Sequence, residues 1–185
     1  MTVRRLFVLA FVVALLLGFG CSSSDYGNNS APTLGCSDGG TAAANTVTLS
    51  CGGTTDNVSE RVDVVMGGPL AGSTTLRGLN FDLTYDTAKL AFIDAGSYTS
   101  PLFPNALVAV SLFNGQQGRV VVSIQQPGGS PDVQVAPGEH AVLILSFSRV
   151  TNTAFNPSAL LFANTEATAA STPIDFANFV ALSYL

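Results

Sequence analysis

Tryptophan is missing from all 185 residues, histidine occurs once, and 7 lysines and arginines stand against 12 aspartates and glutamates. Each scarcity removes a class of function. A formal net charge of -5 leaves no basic face for nucleic acid or anionic lipid headgroups, both of which are bound through clustered Lys and Arg. Sugar-stacking platforms rest on broad aromatic faces; without Trp, only Tyr26, Tyr85, Tyr98 and Tyr184 are left among the larger amphipathic rings. The lone His140, in Pro137-Gly138-Glu139-His140, reads as a surface turn residue, so a serine or cysteine nucleophile has no base placed beside it. Gly67-Gly68 and Gly128-Gly129 lack the strand-to-helix setting and the lysine of a phosphate-binding loop and read as turns. Nothing in the placement of the acidic residues suggests the paired carboxylates of a glycoside hydrolase. Asp86 and Asp132 are loop aspartates, but neither belongs to a run of oxygen ligands that would make a calcium loop. No enzyme, metal or cofactor is expected.

What is present begins with an apolar leader. Arg4 and Arg5 precede an uninterrupted run of apolar and glycine residues from Leu6 to Phe19. The polar Ser22-Ser23-Ser24-Asp25 ends it short of the roughly 20 apolar residues that a membrane-spanning helix needs. This is the build of a secretory signal peptide. Leu17-Gly18-Phe19-Gly20-Cys21 resembles the lipobox of bacterial lipoproteins, with small Gly20 ahead of a cysteine whose thiol takes the lipid. Ordinary cleavage near Gly20 is the plainer alternative. The resemblance implies removal of residues 1–20, lipidation at Cys21, and a lipid-anchored, exported protein of the cell envelope. Outer-membrane placement is favoured because Ser22 is not the aspartate that retains many such proteins in the inner membrane. With Cys21 assigned to lipid, Cys36 and Cys51 remain as an even pair in an oxidising compartment, which predicts a disulfide. Read instead as metal ligands, they lack any further Cys or His partner. Taking Arg4 and Arg5 from the 7 basic residues leaves 5 against 12 acidic ones, a net charge near -7 for the mature chain.

Residues 21–45 are rich in Ser, Gly, Asn, Thr and Ala, with too little apolar surface to offset ordering entropy, and are expected to form a flexible tether. One domain is expected over residues 46–185. There the texture changes to short runs of Val, Leu, Ile, Phe and Thr separated by Gly, Pro, Asn and Asp, and no long stretch carries apolar residues at helical spacing. Strands are predicted at Thr46–Cys51, Arg61–Met66, Thr75–Tyr85, Leu90–Ala95, Leu107–Phe113, Arg119–Gln125, Ala141–Val150, Ser158–Ala163 and Phe176–Ser183. Nine strands at such spacing suggest an all-β antiparallel sandwich. Alternation then sorts the faces. Leu79, Phe81, Leu83 and Tyr85 point one way and Asn80, Asp82 and Thr84 the other; Val120, Val122 and Ile124 oppose Val121, Ser123 and Gln125; Leu143, Leu145 and Phe147 oppose Val142, Ile144, Ser146 and Ser148.

Gly78-Leu79-Asn80-Phe81-Asp82-Leu83-Thr84-Tyr85-Asp86, followed by Leu90-Ala91-Phe92, resembles the signature strand pair of cohesin domains. Gly118-Arg119-Val120-Val121-Val122-Ser123-Ile124 is similar to the family's central strand after an Asn/Gly turn, and Gly138 to Phe147 to its strand of alternating Leu, Leu and Phe. The resemblance runs from about Asn45 to Phe162. It implies a nine-stranded jelly-roll sandwich, related in fold to some carbohydrate-binding modules, that binds and does no chemistry. In cellulosomal cohesins one flat sheet face docks the helical dockerin module of an enzyme. Carried over to this sequence, the implied partner-binding positions are Asn80, Asp82, Thr84, Val121, Ser123, Gln125, Val142, Ile144, Ser146 and Ser148. The plainer reading of the same positions is the small, polar outer side of any half-solvated antiparallel sheet. Val121, Val142 and Ile144 would form a modest apolar patch, or would lie beneath the loop from Pro127 to Glu139. The partner expected is a protein, dockerin-like or other; the alternatives are a polysaccharide-binding or adhesion module and a structural envelope subunit.

Overall fold

Period-2 segments can bury one face each only by stacking as sheets, and that is how this chain folds. A computed structural model describes residues 33–151, 156–177 and 180–184; the leader, Cys21 and Tyr26 lie outside the described residues. The strands are β1 (Leu34–Ser37), β2 (Thr46–Asp56), β3 (Ser59–Gly67), β4 (Thr74–Leu76), β5 (Gly78–Thr84), β6 (Leu90–Ile93), β7 (Leu107–Leu112), β8 (Arg119–Gln125), β9 (Val133–Val135), β10 (Glu139–Arg149), β11 (Ser158–Ala159), β12 (Leu161–Thr168), β13 (Asp175–Ala177) and β14 (Ala181–Tyr184). Five form one sheet in the order β13-β2-β3-β10-β6, and four form the other in the order β12-β5-β8-β7. Two small sheets, β1-β14-β11 and β4-β9, complete the fold.

The count differs from nine for local reasons. All nine predicted segments hold strand, but three are interrupted: Arg77 separates β4 from β5, Leu160 separates β11 from β12, and the last segment divides into β13 and β14. Arg77 is a bend whose N–H still donates to the Thr168 carbonyl at 2.9 Å and whose carbonyl accepts the Gln126 N–H at 3.0 Å, while its guanidinium reaches Asp132 Oδ1 at 2.7 Å and the Pro127 carbonyl at 3.2 Å. Strand β9 is new, and so is β1. Nor is every pair antiparallel, since β13 runs parallel to β2.

Strand β1 falls inside the segment expected as tether, and order begins well before residue 46. Leu34 is fully buried, and β1 pairs with β14 from the far end of the chain. Cys36 and Cys51 form the expected disulfide, with 5.7 Å between their Cα atoms and a separation of 15 residues; such a loop closure contributes about 3 kcal/mol in the entropy model. The Asp38 carboxylate accepts the Cys51 N–H at 2.9 Å and the Ser50 hydroxyl at 3.0 Å, and these bonds, the backbone one foremost, hold it below the usual carboxylate range. Ala42 N–H donates to Glu139 at 3.0 Å. Composition alone misjudges this stretch because one buried leucine, one disulfide and a few non-local hydrogen bonds offset the ordering entropy.

Between the two large sheets lies the core. Val47, Leu49, Val62, Val64, Leu143, Leu145 and Phe147 face Leu79, Phe81, Leu83, Val120, Val122 and Ile124, all essentially inaccessible to solvent. Each such side chain contributes about 1.5–3 kcal/mol relative to exposure. Aromatic pairs stitch both flanks: Phe81 meets Phe162 and Phe176 at 5.3 and 6.2 Å, and Phe147 meets Tyr85 and Phe92 at 5.3 and 5.7 Å. Leu90 and Phe92 return to this core after the turn that Asp86 opens by accepting the Ala88 N–H at 3.0 Å.

Candidate functional site

The ten positions picked out by alternation do not share a face. Asn80, Asp82 and Thr84 on β5 and Val121, Ser123 and Gln125 on β8 lie on the outer side of the four-stranded sheet, whereas Ile144, Ser146 and Ser148 belong to β10, in the other sheet. Val142 is on neither surface. A register shift between Ala141 and Leu143 breaks the period, and Val142 and Leu143 are both buried. No single apolar patch of Val121, Val142 and Ile144 therefore exists.

On the four-stranded sheet the register sets side chains in rows across the strands. Glu166, Asn80, Ser123 and Ala109 form one row, and Ala163, Asp82, Val121 and Ser111 the next. Leu161, Thr84 and Arg119 lie beyond the second, and Thr168, Gly78, Gln125 and Leu107 beyond the first. Asn80 is the hub of a hydrogen-bonded network: its carbonyl oxygen accepts from Ser123 Oγ at 2.8 Å and Gln125 Nε2 at 3.3 Å, while its amide donates to Glu166 Oε2 at 3.3 Å. Gln125 Nε2 also donates to Thr168 Oγ1 at 3.2 Å.

Asp82 is polar and outward but only 4% exposed. The Arg119 guanidinium and the Asn164 amide both donate to its Oδ2. Arg119 in turn lies 4.1 Å above the Phe113 ring centroid, a cation–π contact that fixes its other side. Asn164 reaches Asp82 because β12 is irregular between Ala163 and Glu166, where Asn164 takes a φ of 47°. Such a pair costs desolvation, which the Arg119 and Asn164 donors on Oδ2 offset. Arg119, Asn164, Glu166 and Phe113 were not singled out by alternation, because only the register sets Arg119 opposite Thr84 and Glu166 opposite Asn80.

The outward residues of β10 meet different surroundings. Ile144 and Ser146 join Ile93, Tyr98 and Pro101 in lining a cleft of about 250 Å³ beneath the 94–101 loop. Tyr98 shapes that loop, its hydroxyl accepting the Ala95 N–H at 2.9 Å and donating to Asp94 at 3.1 Å, and partial burial pushes its phenol up. Neither face offers catalytic geometry. Asp86 and Asp132, the loop aspartates weighed for calcium, are engaged with Lys89 and Arg77, and His140 Nε2 meets the Ala136 carbonyl at 2.8 Å. Among the described residues no cluster of three or more His, Cys, Asp or Glu could hold a metal ion, and no helix is long and apolar enough to cross a membrane.

No protein-family model matches the chain, and no curated protein matches it in sequence. Solved structures do match in fold. The sixth cohesin of scaffoldin B from Acetivibrio cellulolyticus, solved with a variant Cel5 dockerin, is 16% identical with a TM-score of 0.53, over 72% of this chain and 94% of that one. CaCohA2 of Clostridium acetobutylicum, solved with CaDoc0917, is 15% identical with a TM-score of 0.51, again over 72% and 94%. The chain has the fold of a cohesin-like β-sandwich.

Proposed function

We propose that this chain is a non-catalytic protein-binding module, and that the outer face of the β12-β5-β8-β7 sheet receives a dockerin-type or similar helical partner. The observation that carries the reading is the pre-arranged face itself: Asn80 is hydrogen-bonded to Ser123, Gln125 and Glu166, and Asp82 to Arg119 and Asn164 one row away. Side chains already ordered in the free protein lose little entropy on binding. The fold likeness to two cohesins solved with dockerins supports the same reading. Ile144, Ser146 and Ser148 stand on the opposite sheet and are left out of this face.

Ser123→Arg tests it, because Ser123 lies at the centre of the face and Asp82→Arg would instead leave Arg119 facing a like charge. A protein captured from the producing bacterium by the immobilised chain should lose affinity about 100-fold, close to 3 kcal/mol, on Ser123→Arg and retain it on Ser146→Arg across the sandwich. Equal loss from both variants, or a glycan-array hit with no protein partner, overturns the assignment.

We further infer that residues 1–20 are a signal peptide and that Cys21 carries lipid, which would place the module on the cell envelope, in the outer membrane. The support is the leader's charge and apolar pattern and the small residue before Cys21. Intact mass of the membrane-extracted protein should match a diacylated chain beginning at Cys21, and Cys21→Ser should abolish that mass. An unmodified mass for the wild type removes the anchor.

A further inference from the structure

Edge strands present a row of unpaired backbone N–H and C=O groups, and proteins ordinarily blunt them with charge, proline, bulges or brevity. Three of the four edges of the two large sheets are blunted so. Strand β6 is four residues long and flanked by Lys89 and Asp94; β13 is three residues long and opens with Asp175; β12 is irregular at Asn164 and carries Glu166. Strand β7 has none of these devices. Its six residues, Leu107-Val108-Ala109-Val110-Ser111-Leu112, are regular along the full register with β8, contain no proline, and sit in a stretch with no charged side chain between Asp94 and Arg119.

The burial pattern points the same way. Val108, Val110 and Leu112 face the core yet stay only half-buried, whereas their β8 neighbours Val120, Val122 and Ile124 are fully buried. The difference is that β8 is flanked on both sides and β7 on one. Outward, Leu107 is 72% exposed and Ala109 and Ser111 are exposed beside it.

We propose that β7 is the edge through which two copies of this chain pair, antiparallel, to join their four-stranded sheets into one of eight strands. Charge selects the occupant. In a chain with net charge -5, an acidic surface brought against its own image meets like charges, and β7 carries no charged residue. Geometry fits as well. Two antiparallel strands related by a two-fold axis keep the same face outward, so residues of equal parity must oppose each other. Ala109 opposite its own copy then places Val108 against Val110 in the half-open layer and Leu107 against Ser111 outside. The outer faces of the two sheets become continuous.

The full chain in the producing bacterium provides the test. Leu107→Cys, Ala109→Cys and Ser111→Cys, treated with a short bis-maleimide, should give a product of twice the monomer mass, strongest at one of the three positions. Leu161→Cys, exposed on the opposite edge, and the wild type should give none. Ala109→Lys and Ala109→Glu, introduced singly on the strongest of the other two cysteine positions, should each lower the dimer yield several-fold, and co-expression of the two should restore it. Absence of a dimer at all three positions, equal cross-linking from Leu161→Cys, or products of a mass other than twice the monomer overturns the proposal.

Discussion

Phe147→Ala should lower the unfolding free energy by about 3–5 kcal/mol, measured as a fall in the urea midpoint at unchanged slope. Phe147 is fully buried on β10 and touches both sheets at one end of the sandwich, since Phe92 belongs to β6 beside it while Tyr85 follows β5 across the core. Its ring stands edge-on to both, at interplanar angles of 76° and 60°. Alanine would forfeit the transfer energy of the ring, both edge-to-face contacts, and the packing of a cavity that two regular sheets cannot collapse to fill. Domains of this size carry a total of roughly 5–15 kcal/mol, so much of the reserve would be spent. Ile144→Ala, three residues earlier and 44% exposed, should cost about 1 kcal/mol or less and serves as the control on the same strand. Comparable losses from the two variants would contradict the placement of the core.

Gly68→Ala should match or exceed that effect, by about 3 kcal/mol or more, for a reason unrelated to hydrophobicity. A Cβ built on Gly68 would lie 1.8 Å from the Ala136 carbonyl oxygen and 3.3 Å from that of Gly138, both backbone atoms with no rotamer to yield. The segment is held there by the Gly68 N–H donating to the Gly138 carbonyl at 2.7 Å and by Asn45 N–H donating to Gly68 at 3.4 Å. One methyl must therefore separate three stretches of chain and break the bonds between them. Gly128→Ala meets nothing within 4 Å and should be neutral or slightly stabilising. Thermal melts of the pair distinguish close backbone approach from the loss of a glycine as such; equal melting temperatures would refute the argument.

These two glycines show how legibility divides. Gly67-Gly68 reads as a turn in the sequence, but the need for glycine arises from segments some 25 and 70 residues away, which no local pattern carries. Strands β5 and β8 were legible because their alternation is uninterrupted from Gly78 to Thr84 and from Arg119 to Gln125, and each has a wet face and a dry one. Val142 was misread because the shift at Ala141 depends on pairing with β3, and an alternating run of apolar residues does not reveal which step is doubled. Which sheet a strand joins is likewise absent from its own alternation, so β10 was grouped with β5 and β8 although it lies across the core from them. Asp82 was correctly placed outward, yet Arg119 and Asn164 close over it, and only the register brings those three together.

The Cys36–Cys51 link bears on mechanics as well as folding. Tension applied at the N-terminal end enters through β1 and, two residues later, passes through the sulfur bridge into β2, bypassing the segment between the two cysteines. That segment cannot be reeled out as slack. The pull is delivered instead to the long strand β2, which is laddered to β3 on one side and β13 on the other. Reduction would release the segment between the two cysteines to extend under the same load, so the bridge sets how much chain the N-terminal end can give up before β2 is reached.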